Sequence, residues 1–128
     1  MNEQDVSLTN AEWNIMECLW DTAPRTGRET IDYLKKQVGW TRSTTLTMLR
    51  RMTDKGLIRC EESDGVKIYY PFCRREDAAR KETDDFINRV YKGSISQLMS
   101  AVTMKQELTQ EEISELYNIL KKAEEAQK

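Results

Sequence analysis

Apolar residues recur along the first half of the chain at helical spacing, then alternate briefly, then return to helical spacing. Trp13, Met16, Leu19 and Trp20 follow one another at intervals of three, three and one, which puts them on one face of an α-helix. Thr9 followed by Glu12 has capping-box spacing, with Leu8 and Trp13 in the two staple positions. Pro24 closes this first helix, because proline disfavours helix in the residue before it. Thr26 and Glu29 repeat the capping spacing. Ile31, Leu34 and Val38 then give a second helix its apolar stripe, with Tyr33 at the edge, and Gly39 stops it. Trp40 and Thr41 lead straight into a third helix over 40–56, with Thr41 as its cap. There Thr45, Met48, Leu49 and Met52 share one arc, with Leu46 at its edge.

After Gly56 the period changes to two. Residues 57–62 read as a strand with Ile58 and Cys60 facing one way, Ser63-Asp64-Gly65 as a hairpin turn, and 66–70 as the return strand, ended by Pro71. From Arg74 the helical period returns. Phe86, Ile87, Val90 and Tyr91 form one stripe, broken at Gly93, and Ile95, Leu98, Met99 and Val102 form the next. A third capping box follows at Thr109 and Glu112, with Leu108 and Ile113 as its staple. The last helix carries Ile113, Leu116, Tyr117 and Leu120. The expected fold is mainly α with a small β-hairpin. A winged helix-turn-helix occupies 1–73, a helical dimerisation region occupies 74–128, and residues 1–7 are polar and loose.

The third helix turns this fold into a functional expectation. Its outer face holds Arg42, Ser43, Thr44, Thr47, Arg50 and Arg51. Short hydroxyls let a helix approach a phosphate chain closely, and arginine can bond a phosphate or a guanine edge with two N–H groups. The face is that of a recognition helix for a DNA major groove. On the wing, Lys67 and Tyr69 are expected beside it, and strand alternation is taken to turn Tyr70 inward. An ordinary solvated surface helix is the plainer reading of the same stretch.

Charge sharpens the picture. The 128-residue chain has a net charge of −2, but residues 1–21 carry −5, residues 22–75 carry +6 and residues 76–128 carry −3. The basic block coincides with the proposed recognition helix and its flanks. The chain has no histidine, and its three cysteines, Cys18, Cys60 and Cys73, show no CxxC spacing. Zinc sites and Ser/His or Cys/His catalysis thus lose their usual groups. No cofactor, metal site or enzymatic activity is expected. No apolar run approaches a membrane span and the N-terminus has no leader-like segment, so a cytoplasmic protein without membrane insertion is expected.

Three amphipathic helices in the last 50 or so residues have apolar faces and little core of their own. Interweaving with a second copy would bury them. The expected dimer seam draws on Ile87, Val90, Tyr91, Ile95, Leu98, Met99, Val102, Ile113, Leu116, Tyr117 and Leu120.

The layout and several segments resemble the BlaI/MecI penicillinase-repressor family of bacterial winged-helix repressors. The matching residues include Leu8-Thr9-x-Ala11-Glu12-Trp13, then Trp40 with Thr44, Thr47, Leu49 and Arg51, then Lys55-Gly56-Leu57-Ile58 and Tyr69-Tyr70-Pro71. Phe86-Ile87-Asn88-Arg89-Val90-Tyr91-Lys92-Gly93 and Leu108-Thr109-Gln110-Glu111-Glu112-Ile113 continue the likeness to about residue 122. The resemblance implies a homodimer that binds a palindromic operator and represses transcription, often of antibiotic-resistance genes. It also implies a membrane-bound sensor protease as a partner, whose signal leads to a cut in the dimerisation helices. The aligned bond here is Ala101–Val102, where the family commonly has Asn-Phe. Leu46 stands where the family often has a basic residue, and Arg42 where it often has proline. The copper-responsive branch has a cysteine-rich site near its C-terminus, and this chain has no cysteine after Cys73. Two other readings stay open: a winged-helix protein-interaction module that does not touch DNA, and a repressor that senses a small ligand at the dimer seam.

Overall fold

The computed structural model describes residues 7–105 and 107–128, and the side chain of Lys105 is left out. The expectation of a loose segment over 1–7 therefore lies outside the described residues except at Ser7, whose hydroxyl hydrogen-bonds the Asp85 carboxylate at 3.2 Å. Element order is α1 (Asn10–Asp21), β1 (Arg25–Thr26), α2 (Gly27–Gln37), α3 (Arg42–Lys55), β2 (Ile58–Ser63), β3 (Val66–Pro71), α4 (Arg75–Tyr91), α5 (Ile95–Lys105) and α6 (Gln110–Ala126). The chain divides into two compact units, Met1–Asp85 and Phe86–Lys128. That division falls inside α4, some way past the boundary expected at 73/74, because the first turns of α4 stay with the winged helix. Arg75 forms a two-pronged ion pair with Glu17 of α1 at 2.8 and 3.1 Å.

All three capping boxes form. Thr9, Thr26 and Thr109 each accept from the backbone N–H of Glu12, Glu29 and Glu112, and each glutamate accepts from its cap's backbone N–H in return. These exchanges satisfy donors that a helix start otherwise leaves open, at about 1 kcal/mol per cap.

The core of the first unit draws on α1, α2, α3, β2 and β3. Ile15, Met16, Cys18 and Leu19 from α1, Leu34 from α2, Leu49 and Met52 from α3, Leu57 and Ile58 around the start of β2, and Tyr69 from β3 are buried together. Burial moves the Cys18 thiol up to about 11, which keeps it a neutral apolar residue. Trp13 and Trp20, expected in the α1 stripe, are half-buried and form an edge-to-face pair with ring centres 5.2 Å apart, and Trp20 packs against the core. Val38, expected in the α2 stripe, is exposed, and Thr30 is buried in its place with its hydroxyl donating to the Thr26 carbonyl at 2.9 Å.

The sheet has three strands in the order β1-β3-β2, all antiparallel, where only the β2–β3 hairpin was expected. The connecting turn is the two residues Asp64 and Gly65, both at positive φ, 52° and 77°. That matches the twist of the flanking strands and fixes the register Ser63↔Val66 through Ile58↔Pro71.

Candidate nucleic-acid interface

The short link between α2 and α3 contains Gly39 at φ 80°, and Thr41 caps α3. The Thr41 hydroxyl accepts from the Thr44 N–H at 3.2 Å and lies 3.0 Å from the Thr44 hydroxyl. The helix ends at Gly56, whose left-handed backbone (φ 78°) lets its N–H reach the carbonyls of Met52 and Thr53. The inner arc of α3 is buried at Thr45, Leu49 and Met52, with Met48 half-buried.

An ion pair joins α1 to the end of α3. Lys55, its last residue, donates to the carboxylate of Glu12 at 3.0 Å. Glu12 is 3% exposed, and its other oxygen accepts from the Thr9 N–H at 2.8 Å. Burial is the largest influence on this carboxyl and pushes its pKa up, but the Thr9 hydrogen bond and the Lys55 ammonium together outweigh it and hold it below the ordinary value. Glu12 was expected only as a capping residue. Its second role depends on α1 and α3 meeting, for which the sequence holds no local signal.

The outer arc carries Arg42, Ser43, Thr44, Arg50 and Arg51 exposed, and Thr47 half-buried. Arg42, Arg50 and Arg51 take part in no ion pair among the described residues, whereas Arg25, Lys55, Arg59, Arg74, Arg75 and Lys81 all do. Arg28, Lys35 and Lys36 of α2 are likewise exposed without an ion pair, and were foreseen only as part of the basic block. The sequence-predicted residues of α3 are thus brought together on one accessible face, with guanidinium donors not engaged in ion pairs.

The wing differs from expectation at two residues, Tyr69 and Tyr70. Tyr69, expected beside the recognition helix, is 7% exposed and belongs to the core. Its ring lies 3.7 Å from where a side chain on Gly27 would begin, and its residue pairs with Arg25 of β1 on one side and Cys60 on the other. Burial, then Cys60, raise its phenol pKa. Tyr70, expected to turn inward, is instead half-buried on the opposite sheet face beneath the Arg59 guanidinium at 4.4 Å. The signal was present: a two-residue turn sets Tyr69 opposite Cys60, so both share the face of Ile58. Lys67 is exposed and takes part in no ion pair among the described residues, and it lies opposite Glu62 near the tip. Glu61, Glu62 and Asp64 also lie there.

The second unit has no buried residue among those described. Val90, Ile95, Val102, Tyr117 and Leu120 are exposed, while Ile87, Tyr91, Leu98, Met99, Ile113 and Leu116 are half-buried. Met99, Leu108, Ile113, Leu116 and Leu120 line an open apolar groove between α5 and α6. Ala101 and Val102 lie in mid-helix in α5, the first half-buried and the second exposed. Among the described residues no helix is long and apolar enough to cross a membrane.

A three-helix unit with a short antiparallel sheet, a tight α2–α3 link and an uncovered basic face on α3 defines a winged-helix DNA-binding regulator. Residues 8–122 match the family model described as penicillinase repressor, and the chain belongs to that family. It is 31% identical to the methicillin resistance regulatory protein MecI of Staphylococcus aureus strain N315, over 95% of this chain and 99% of that one. It is 30% identical to the penicillinase repressor of Bacillus licheniformis, over 88% of each. The fold is similar to the solution structure of the DNA-binding domain of the repressor BlaI, with a TM-score of 0.52 and 27% identity over 60% of this chain and 93% of that one. It is equally similar to monomeric Bacillus licheniformis BlaI in complex with the blaP half-operator, with a TM-score of 0.51 and 27% identity over 57% and 89%.

Proposed function

We propose that the protein is a dimeric, sequence-specific repressor that seats α3 in the major groove of each half of a palindromic operator, in the cytoplasm, at resistance genes. The observation that carries this is the outer face of α3. Three arginines without ion pairs among the described residues and three short hydroxyls line one side of a helix whose other side is sealed into the core. In this reading Arg51 and Arg50 bond base edges or phosphates, Ser43, Thr44 and Thr47 allow close approach, and Arg42 and Lys67 hold the backbone. The half-operator complex of BlaI supports the same assignment of partner.

The second unit supports the dimeric part of this reading. Exposed Ile95, Val102, Tyr117 and Leu120 are the surface a second copy would cover. Each covered aliphatic side chain contributes roughly 1.5–3 kcal/mol. Linking two half-sites raises operator affinity well beyond one domain's contacts. A sensor protease whose signal ends in a cut at Ala101–Val102 would sever α5 and detach α6, returning the protein to weakly bound monomers.

The test uses a duplex selected by the full chain from a random pool, read by fluorescence anisotropy. Arg51→Ala weakens binding by about 1–3 kcal/mol and relaxes preference at one position per half-site. Unchanged affinity and preference would refute the assigned face. Leu98→Asp shifts sedimentation towards monomer and lowers operator affinity in parallel. A Leu98→Asp protein that stays dimeric and binds normally puts the seam elsewhere.

A further inference from the structure

Among the described residues of the first unit, four large apolar side chains stand out: Val38 at 42% exposure, Leu46 at 39%, Val66 at 47% and Phe72 at 40%. Only Leu46 lies on α3. It does not serve the core. The cluster is closed from α3 by Leu49 and Met52 with Met48 packed against it, and Leu46 takes no part in it. Arg42 stands one turn before it and Arg50 one turn after it, both exposed and without an ion pair among the described residues. Ser43 is a turn away and Thr47 adjacent, so the side chains around it on the outward side are short or cationic.

We infer that Leu46 is a specificity-determining residue that reads the 5-methyl group of one thymine in each operator half-site. The inference rests on the DNA-binding reading above and adds a base to it. Arginines a turn to either side carry Leu46 with them to the groove. There a branched apolar side chain can make no hydrogen bond to phosphate or to a base edge. The thymine methyl is the one apolar group that a base pair presents in the major groove. Against cytosine the same side chain would cover an N4 amino donor without replacing its bond to water, which is unfavourable. Leu46 therefore selects thymine by contact with its methyl and by exclusion of cytosine.

The experiment begins with duplexes selected from a random pool by the full chain. In the selected consensus each thymine is replaced singly by deoxyuridine, which keeps every hydrogen-bonding group and removes only the methyl. Wild-type protein loses about four-fold in affinity at one thymine per half-site, the value of one methyl group removed from water, and little at the others. Leu46→Ala binds thymine and deoxyuridine there equally, and Leu46→Met, which remains apolar, keeps the difference. Equal melting temperatures of the three proteins show that the exposed site is not needed for folding. A consensus in which no single methyl matters, or one whose methyl effect survives in Leu46→Ala, overturns the inference while leaving DNA binding intact. A pool from which no sequence is enriched overturns the DNA-binding reading, and the thymine contact with it.

Discussion

The Glu12–Lys55 pair is a strut between the first turn of α1 and the last turn of the recognition helix, and its two ends are unequal. Lys55 keeps 60% of its side chain exposed, whereas the Glu12 side chain keeps 4%. Removing the lysine leaves a buried carboxylate with one donor fewer. Removing the glutamate leaves an ammonium that water already reaches. Lys55→Met should then cost about 1–2 kcal/mol, mostly from the poorer solvation of Glu12. Glu12→Gln keeps an acceptor for the Thr9 N–H and should cost about 1 kcal/mol. Glu12→Ala loses the capping bond and the strut together and should cost about 2–3 kcal/mol. The exposure of Lys55 limits the direct attraction to the low end of ion-pair values, so the coupling in the cycle of Glu12→Gln and Lys55→Met should be about 1 kcal/mol. For a domain of this size each kcal/mol moves the melting temperature by roughly 4–8 °C. Urea unfolding followed by circular dichroism measures wild type, the three single variants and the double variant. The pH dependence is an independent check. The folded Glu12 carboxyl titrates below its ordinary value of 4.5, so it binds a proton less readily than in the unfolded chain. Its contribution is complete above that value and is lost as pH falls through the folded pKa. The gap between wild type and Glu12→Gln should shrink as pH is lowered from about 6 towards about 3. A gap that persists in acid, or a coupling indistinguishable from zero, would refute the strut.

Three further outcomes follow from particular residues. The Thr45 hydroxyl is buried without a hydrogen-bond partner among the described residues, so Thr45→Val, of nearly the same shape, should stabilise the domain by about 1 kcal/mol in urea titrations; destabilisation would show that the hydroxyl is satisfied. Tyr69→Ala should cost about 3–5 kcal/mol by emptying a core site, while Tyr70→Ala should cost under about 2 kcal/mol; thermal melts showing the reverse order would restore the inward Tyr70. Lys67→Ala should weaken matched and scrambled duplexes alike and lower the salt dependence of binding by about one phosphate contact, and a loss confined to the matched duplex would make Lys67 a base reader.

Local chemistry made much of this protein legible. A capping box involves residues three apart, so Thr9–Glu12, Thr26–Glu29 and Thr109–Glu112 mark helix starts whatever the fold around them. Asp64-Gly65 specifies a two-residue turn because its positive φ angles suit few other pairs. The outer face of α3 was legible because a helix of known phase, with Leu49 and Met52 inward, must turn Arg50 and Arg51 outward. What depends on distant segments was not. Alternation along β3 divides Tyr69 from Tyr70 but does not say which faces inward. The two-residue turn settles that by setting Tyr69 opposite Cys60, on the face of Ile58, whereas β1, two residues too short to carry any periodic signal, closes on the other side unannounced. Likewise nothing near Glu12 announces Lys55, 43 residues away, because a charge becomes a strut only when two helices bring it out of water beside its partner. Sequence periodicity states which residues share a face, and the packing of one element on another states which face meets water and therefore which side chains remain available to DNA.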